Sequence, residues 1–287
     1  MLLFLFLLGL CVGSFLNVVA LRYDGEHFVF DPRVINAGDE RSHCPRCGKT
    51  LHWYELMPLI SFAVQKGKCR GCGAKIGWQY PAVELLAGLI FVIVPWRIAQ
   101  IVGSQYSLAS SILWIISFLI LLLISYIDIR LGIIPDELEI ILGIFALGIA
   151  ILESVPGYLL VAGHSFLGPY ASVFGFGQDI WVSHLIGMVA AFAFFELLVL
   201  ITRGKGMGMG DVKLALPLGF LFGWPDIAVA IMAAFVIGAI VGIINISIKK
   251  KTMGGTLPFG PFLALGAAFV FFIGLPAAKW YFGMMGL

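Results

Sequence analysis

The chain is short of charge. Only 12% of its 287 residues are Asp, Glu, Lys or Arg, about half the share found in ordinary soluble domains. That excludes a solvated globular surface over most of its length. Internal repeats and low-complexity tracts are absent, so a repeat array is excluded as well. No glycine-rich loop joins a strand to a helix, as it does in soluble nucleotide-cofactor domains. Cysteine is sparse, with five residues in all. A net charge of +2 excludes little, because its distribution matters more than its sum.

What the chain does have is apolar residues, 61% of the total, gathered in runs long enough to cross a bilayer at roughly 20 residues per helix. The sequence predicts an all-α polytopic membrane protein with about eight transmembrane helices, over 2–21, 81–101, 108–127, 136–153, 180–202, 212–224, 226–248 and 258–282. The first run lacks a basic segment before it and a small-x-small cleavage site after it, so it reads as a retained helix. The sixth is short. Residues 154–179, half-apolar and rich in Gly and Pro, read as a loop at the membrane interface, with a re-entrant segment as the alternative. Three parts follow: a first helix at 1–21, a small polar domain at 22–80 and a membrane domain at 81–287.

Basic residues set the orientation. With the N-terminus outside, the inner segments 22–80, 128–135, 203–213 and 249–257 carry sixteen of the eighteen Lys and Arg residues. Only Arg97 and Lys279 lie near the outer face. The positive-inside rule therefore puts the polar domain, Asp128 and Asp211 on the cytoplasmic side.

Four of the five cysteines form two C-x2-C knuckles, Cys44/Cys47 and Cys69/Cys72, separated by twenty-one residues. Two such knuckles bring four thiolates to a tetrahedral zinc ion, and a glycine after each pair allows the tight turn. Two disulfides are the alternative, but they suit a reducing cytoplasm poorly. Four thiolates leave no open coordination position, so the zinc should be structural. Cys11, inside the first span, reads as a small packing residue.

Most acids near span ends, among them Glu139, Glu153, Asp179 and Asp226, are expected to reach water or head groups. Glu84 and Glu196 lie a few residues inside their spans. Asp136 and Glu137 follow Pro135 at a helix start, which is ordinary N-terminal chemistry. Asp128 and Asp211 differ. The first ends the run "WIISFLILLLISYID" and the second opens another, at the same depth. An ionisable group at membrane depth marks a functional site by default. If the two approach closely they share one proton. The ionised member can then activate a water while the protonated one polarises a peptide carbonyl. Two other readings stay open: an ion-coupled transporter built on these acids, and a zinc-knuckle docking protein without catalysis.

The residues carry a resemblance. "GMGD" at 208–211 matches the G-x-G-D signature of intramembrane aspartyl proteases. "GSFLNVVALR" at 13–22, the paired knuckles, "YPAVELLAG" at 80–88, "YIDIRLGIIPD" at 126–136, "GMGMGDVKLAL" at 206–216 and "LPFGPFLALG" at 257–266 follow in the order of the type IV prepilin peptidases. "YELMPLISF" at 54–62 departs from that family's usual asparagine-isoleucine-proline. The resemblance implies an enzyme of the bacterial cytoplasmic membrane that removes the basic leader from prepilins and type II secretion pseudopilins. It also implies N-methylation of the new terminus with S-adenosylmethionine as donor, and no nucleic-acid partner. A peptidase without methyl transfer is the alternative; against it, the chain keeps the 22–80 domain, which in the family goes with the bifunctional forms and which protease-only relatives often lack. Asp128 and Asp211 map to the catalytic acids, and Asp136 does not. Gly206, Gly208, Gly210 and Lys213, with Pro258, Gly260 and Pro261, are expected to shape a groove for an extended substrate.

Overall fold

A computed structural model describes residues 2–31, 42–156, 158, 165–174, 179–204, 206–247 and 257–284. Among them the chain is helical, and its extended pairing is limited to isolated antiparallel bridges at His43–Thr50 and Lys68–Lys75. The helices are α1 (Leu2–Arg22), α2 (Ile60–Val64), α3 (Gln79–Ile101), α4 (Ser107–Leu131), α5 (Asp136–Glu153), α6 (Ile180–Thr202), α7 (Met209–Phe222), α8 (Asp226–Ser247) and α9 (Gly260–Met284). All eight expected spans fold as helices, within a few residues of their expected ends. Six of them are long and apolar enough to cross a membrane. The other two fall short of eight for plain reasons. α5 carries Asp136, Glu137, Glu139 and Glu153 in 18 residues, and α7 has only 14 residues.

The chain packs as two units, Met1–Val94 and Pro95–Leu287. The division falls inside α3 next to Pro95, which lacks the N–H that would continue the helix ladder. In the first unit, α1 and α3 pack backbone against backbone. A Cβ on Gly9 would meet Ala87 O at 2.7 Å, and one on Gly13 would meet Glu84 Cα at 2.7 Å. Small residues four apart are how membrane helices approach closely when no hydrophobic effect drives them together. The Asn17 side-chain amide donates to Tyr80 O at 3.1 Å. Leu59, held at a φ of 58°, donates its N–H to Glu84 Oε2 at 2.9 Å.

In the second unit, α7 packs on α5 and α6, α9 on α8 and α4, and α4 on α5. Glycine again sets the approach, with Gly187 against Gly219 and Gly266 against Ala230. A ring cluster built on Trp114, Phe118, Phe166, Phe222 and Phe271 fills one end, with Trp114 and Phe271 centroids 4.7 Å apart. Part of the 154–179 stretch lies outside the described residues. The described part forms a short 3-10 helix, Gly168–Phe174, and Tyr170 stacks on Phe282 of α9.

The expectation that the span-end acids reach water fails for several of them. Glu84, Glu139, Glu153 and Asp226 are all buried. Asp226 accepts from Ser165 Oγ at 2.7 Å and Phe166 N at 2.8 Å, and Glu153 Oε2 lies 3.2 Å from His184 Nε2. These two, like Glu84, take a partner from a segment distant in sequence, which removes the need for solvent; Glu139 Oε1 has no hydrogen-bond partner among the described residues. Asp179 does behave as a helix-end acid, accepting the Val182 N–H as an N-cap.

Candidate active site and metal centre

Three helix ends converge in the second unit. α4 stops where Gly132 turns left-handed, at a φ of 70°, and donates its N–H to Asp128 O at 2.9 Å. Asp128 therefore sits on the last turn, with three more helical residues beyond it. α7 starts after Gly208, an extended N-cap, and so places Asp211 in its first turn. α9 starts at Gly260, two residues later than expected. Pro258 lies in the approach and Pro261 in the first turn, where its missing N–H has no helix partner to lose.

These ends bring two acids together. Asp128 and Asp211 are 5% and 8% exposed, and the charge of Asp128 acts directly on Asp211. Gly260 donates its N–H to Asp128 Oδ2 at 2.9 Å, and a Cβ at Gly260 would lie only 2.8 Å from that oxygen. The Gly208 backbone amide lies beside the Asp211 carboxyl. Ile134, which sequence reasoning missed, packs against both Gly210 and Gly260. A Cβ on Gly210 would lie 3.2 Å from its Cβ, and one on Gly260 would lie 3.5 Å from its Cδ1.

The remaining groove residues divide. Gly208 keeps open space apart from Asp211 Oδ2, 3.8 Å from where its Cβ would be. Gly206 instead packs against Thr202. The Lys213 ammonium binds both oxygens of Asp136 at 2.8 Å, in the open. Behind that pair lies a second residue missed from sequence. Glu139 is 7% exposed, and the charges of Asp136, Lys213 and Asp211 all act on it. Its signal was present: Glu139, Leu142, Ala146, Ile149, Ala150 and Glu153 form the buried face of α5, so the acid points inward.

The first unit holds the metal centre. The two knuckles repeat one backbone pattern. Cys44 N donates to Lys49 O and Gly48 N to Cys44 O, as Cys69 N does to Ala74 O and Gly73 N to Cys69 O. Gly48 and Gly73 turn left-handed at 69° and 70°. The four sulfurs lie within 4.8 Å of one another, with Cys44 and Cys72 Sγ 4.0 Å apart. A zinc ion with bonds of about 2.3 Å needs sulfurs roughly 3.8 Å apart, and a disulfide needs about 2.05 Å. All four thiols are free, so the set fits a tetrahedral metal such as zinc. The N–H groups of Arg46 and Cys47 hold the Cys44 thiol down to about 6, which favours the thiolate a metal binds. Nearby, the His52 N–H and the Lys49 ammonium hold the buried Glu55 carboxylate in its charged form, which fixes the strand of chain after the first knuckle.

Comparison with known proteins names a family for the chain. Residues 7–98 match the family model for the bacterial peptidase A24 N-terminal domain, and residues 115–243 match that of the type IV leader peptidase family. A prepilin leader peptidase/N-methyltransferase of Pseudomonas aeruginosa is 33% identical over 90% of this chain and 86% of its own length. One of Aeromonas salmonicida is 30% identical over 96% and 92%, and one of Bacillus subtilis 29% identical over 99% of both chains. No solved structure is a significant match. Nothing among these relatives supports a transporter. On these matches, the chain belongs to the type IV leader peptidase family.

Proposed function

We propose that Asp128 and Asp211 are the acid–base pair with which this chain hydrolyses the bond joining a prepilin to its leader. The supporting observation is their convergence: two buried carboxyls, from separate helices, with Asp211 within reach of the charge of Asp128. Two carboxyls so placed hold one proton between them. The ionised member takes a proton from water, and the resulting hydroxide attacks the scissile carbonyl. The protonated member donates to the carbonyl oxygen, and a proton then passes to the departing nitrogen. Water is split, the peptide bond breaks, and the pair returns to one proton.

Two of the groove glycines carry this reading further. Gly208 and Gly260 are the glycines that face the acids: open space at Gly208 admits an extended peptide, and the missing side chain at Gly260 lets its backbone close on Asp128. Gly260→Ala would put a methyl group 2.8 Å from Asp128 Oδ2 and turn the carboxylate off its N–H donor. Cleavage should fall about a hundredfold, the loss expected for a misplacement on the order of 1 Å. A purified assay alongside a thermal melt checks this, and unchanged turnover would remove Gly260 from the site.

The relatives named above also N-methylate, and the same second activity is assigned here to the product amine. Residues 22–80 are the region proposed to serve it. S-adenosylmethionine, when bound, supplies the methyl group. The side chains that fit it lie in the first unit. Asn17 is buried with Oδ1 unpartnered among the described residues, an acceptor for a ligand hydroxyl or amine. Glu84 supplies a buried carboxylate suited to a cationic donor. The positive-inside pattern puts the N-terminus outside, and both active regions then face the cytoplasm. Incubating the purified chain with a prepilin and labelled S-adenosylmethionine tests both activities. Leader loss with label on the new terminus is expected. Leader loss without label would leave a peptidase alone, and an intact prepilin would sink the whole reading.

A further inference from the structure

The first turns of α5 and α7 meet with an imbalance of charge. Asp136, Glu137 and Glu139 come from α5, Asp211 and Lys213 from α7, so four carboxyl groups stand against one ammonium. That ammonium is already committed to both oxygens of Asp136. Glu139 is left behind them, 7% exposed, and its Oε1 has no hydrogen-bond partner among the described residues. An unpartnered buried carboxyl oxygen is costly even for a neutral group, and more so when charged. Elsewhere in this chain buried acids avoid the penalty: Asp226, Glu153 and Glu84 each have a donor. Glu139 is the exception, and it borders the acid pair.

We propose that Glu139, with Asp136 at its rim, forms an anionic subsite that receives a lysine or arginine side chain of the substrate beside the scissile bond. A long cationic side chain has the reach and the donors to satisfy Oε1. Lys213 occupies the outer part of the subsite when substrate is absent, and its exposed position lets it move aside at little expense. The inference rests on the peptidase reading, because the subsite lies next to Asp211.

The alternative is that Glu139 only complements the N-terminal dipole of α5. Two prepilins separate the cases, one with the basic residue nearest the cleavage site intact and one with it changed to glutamine. The wild-type chain should cleave the cationic prepilin with a kcat/KM at least about tenfold higher, through KM. Glu139→Gln, which keeps the shape, should bring that ratio close to one, and Glu139→Asp should keep most of it. Glu139→Lys should favour a prepilin carrying glutamate at that position. A ratio unchanged in Glu139→Gln would overturn the subsite, as would equal losses on both prepilins or a loss in kcat alone. Cleavage of either prepilin by the wild type that is lost in Asp211→Asn shows that the peptidase reading holds whatever Glu139 does. If the wild type cleaves neither, the reading and the subsite fall together.

Discussion

Asp128→Asn and Asp211→Asn should each lower leader cleavage by about 10²–10⁴-fold, the range in which a positioned proton carrier contributes. The variants should insert and fold normally. Asparagine has the size of aspartate, and its carbonyl oxygen can still accept the Gly260 N–H that holds Asp128 at 2.9 Å. What it cannot do is exchange a proton with its neighbour. The double variant should be scarcely worse than either single one, because the two acids work as one unit. Near-normal cleavage in either single variant would exclude that residue from the chemistry. Asp136→Asn makes a useful contrast. Asp136 is exposed and paired with Lys213, so its loss should change substrate preference more than turnover.

The second large effect concerns the four-cysteine centre. Freshly purified protein should hold one zinc per chain, and Cys44→Ser or Cys72→Ser should remove most of it. The first unit has few other means of ordering residues 42–76, where helix is limited to a 3-10 turn and the five residues of α2. Metal binding in small knuckle domains contributes on the order of 10 kcal/mol to folding. A chelator should therefore unfold this region. Proteolysis between the two knuckles would report it, while α4 to α9 stay resistant. Full zinc occupancy in Cys44→Ser, or none in the wild type, would contradict the assignment.

Local signals were the most readable in the sequence. The C-x2-C spacing, the apolar runs and the order of the short motifs each depend on residues a few positions apart, and the folded chain keeps them together. Helix ends were readable where proline or glycine marked them, as at Pro135 and Gly132. Burial of acids was not. Glu153 and Asp226 sit near span ends, where water looks the natural partner, and Glu84 a few residues inside its span, yet their partners are His184, the Ser165–Phe166 turn and Leu59. Nothing in a linear reading joins those segments. Ile134 was invisible for a related reason, since its role depends on Gly210 and Gly260 arriving from two other helices.

The brevity of α7 bears on how a hydrolase obtains its second reactant inside a lipid phase. Fourteen residues rise roughly 21 Å, against a hydrocarbon thickness of about 30 Å. Set in a bilayer, a helix that short would be accommodated by thinning of the lipid around it. Asp211 occupies its first turn, so the thinned zone opens at the carboxyl pair. Bulk water can then reach a bond that would otherwise lie under lipid. A substrate helix sliding into the thin zone would find its own backbone hydrated there, and would unwind where it must be cut.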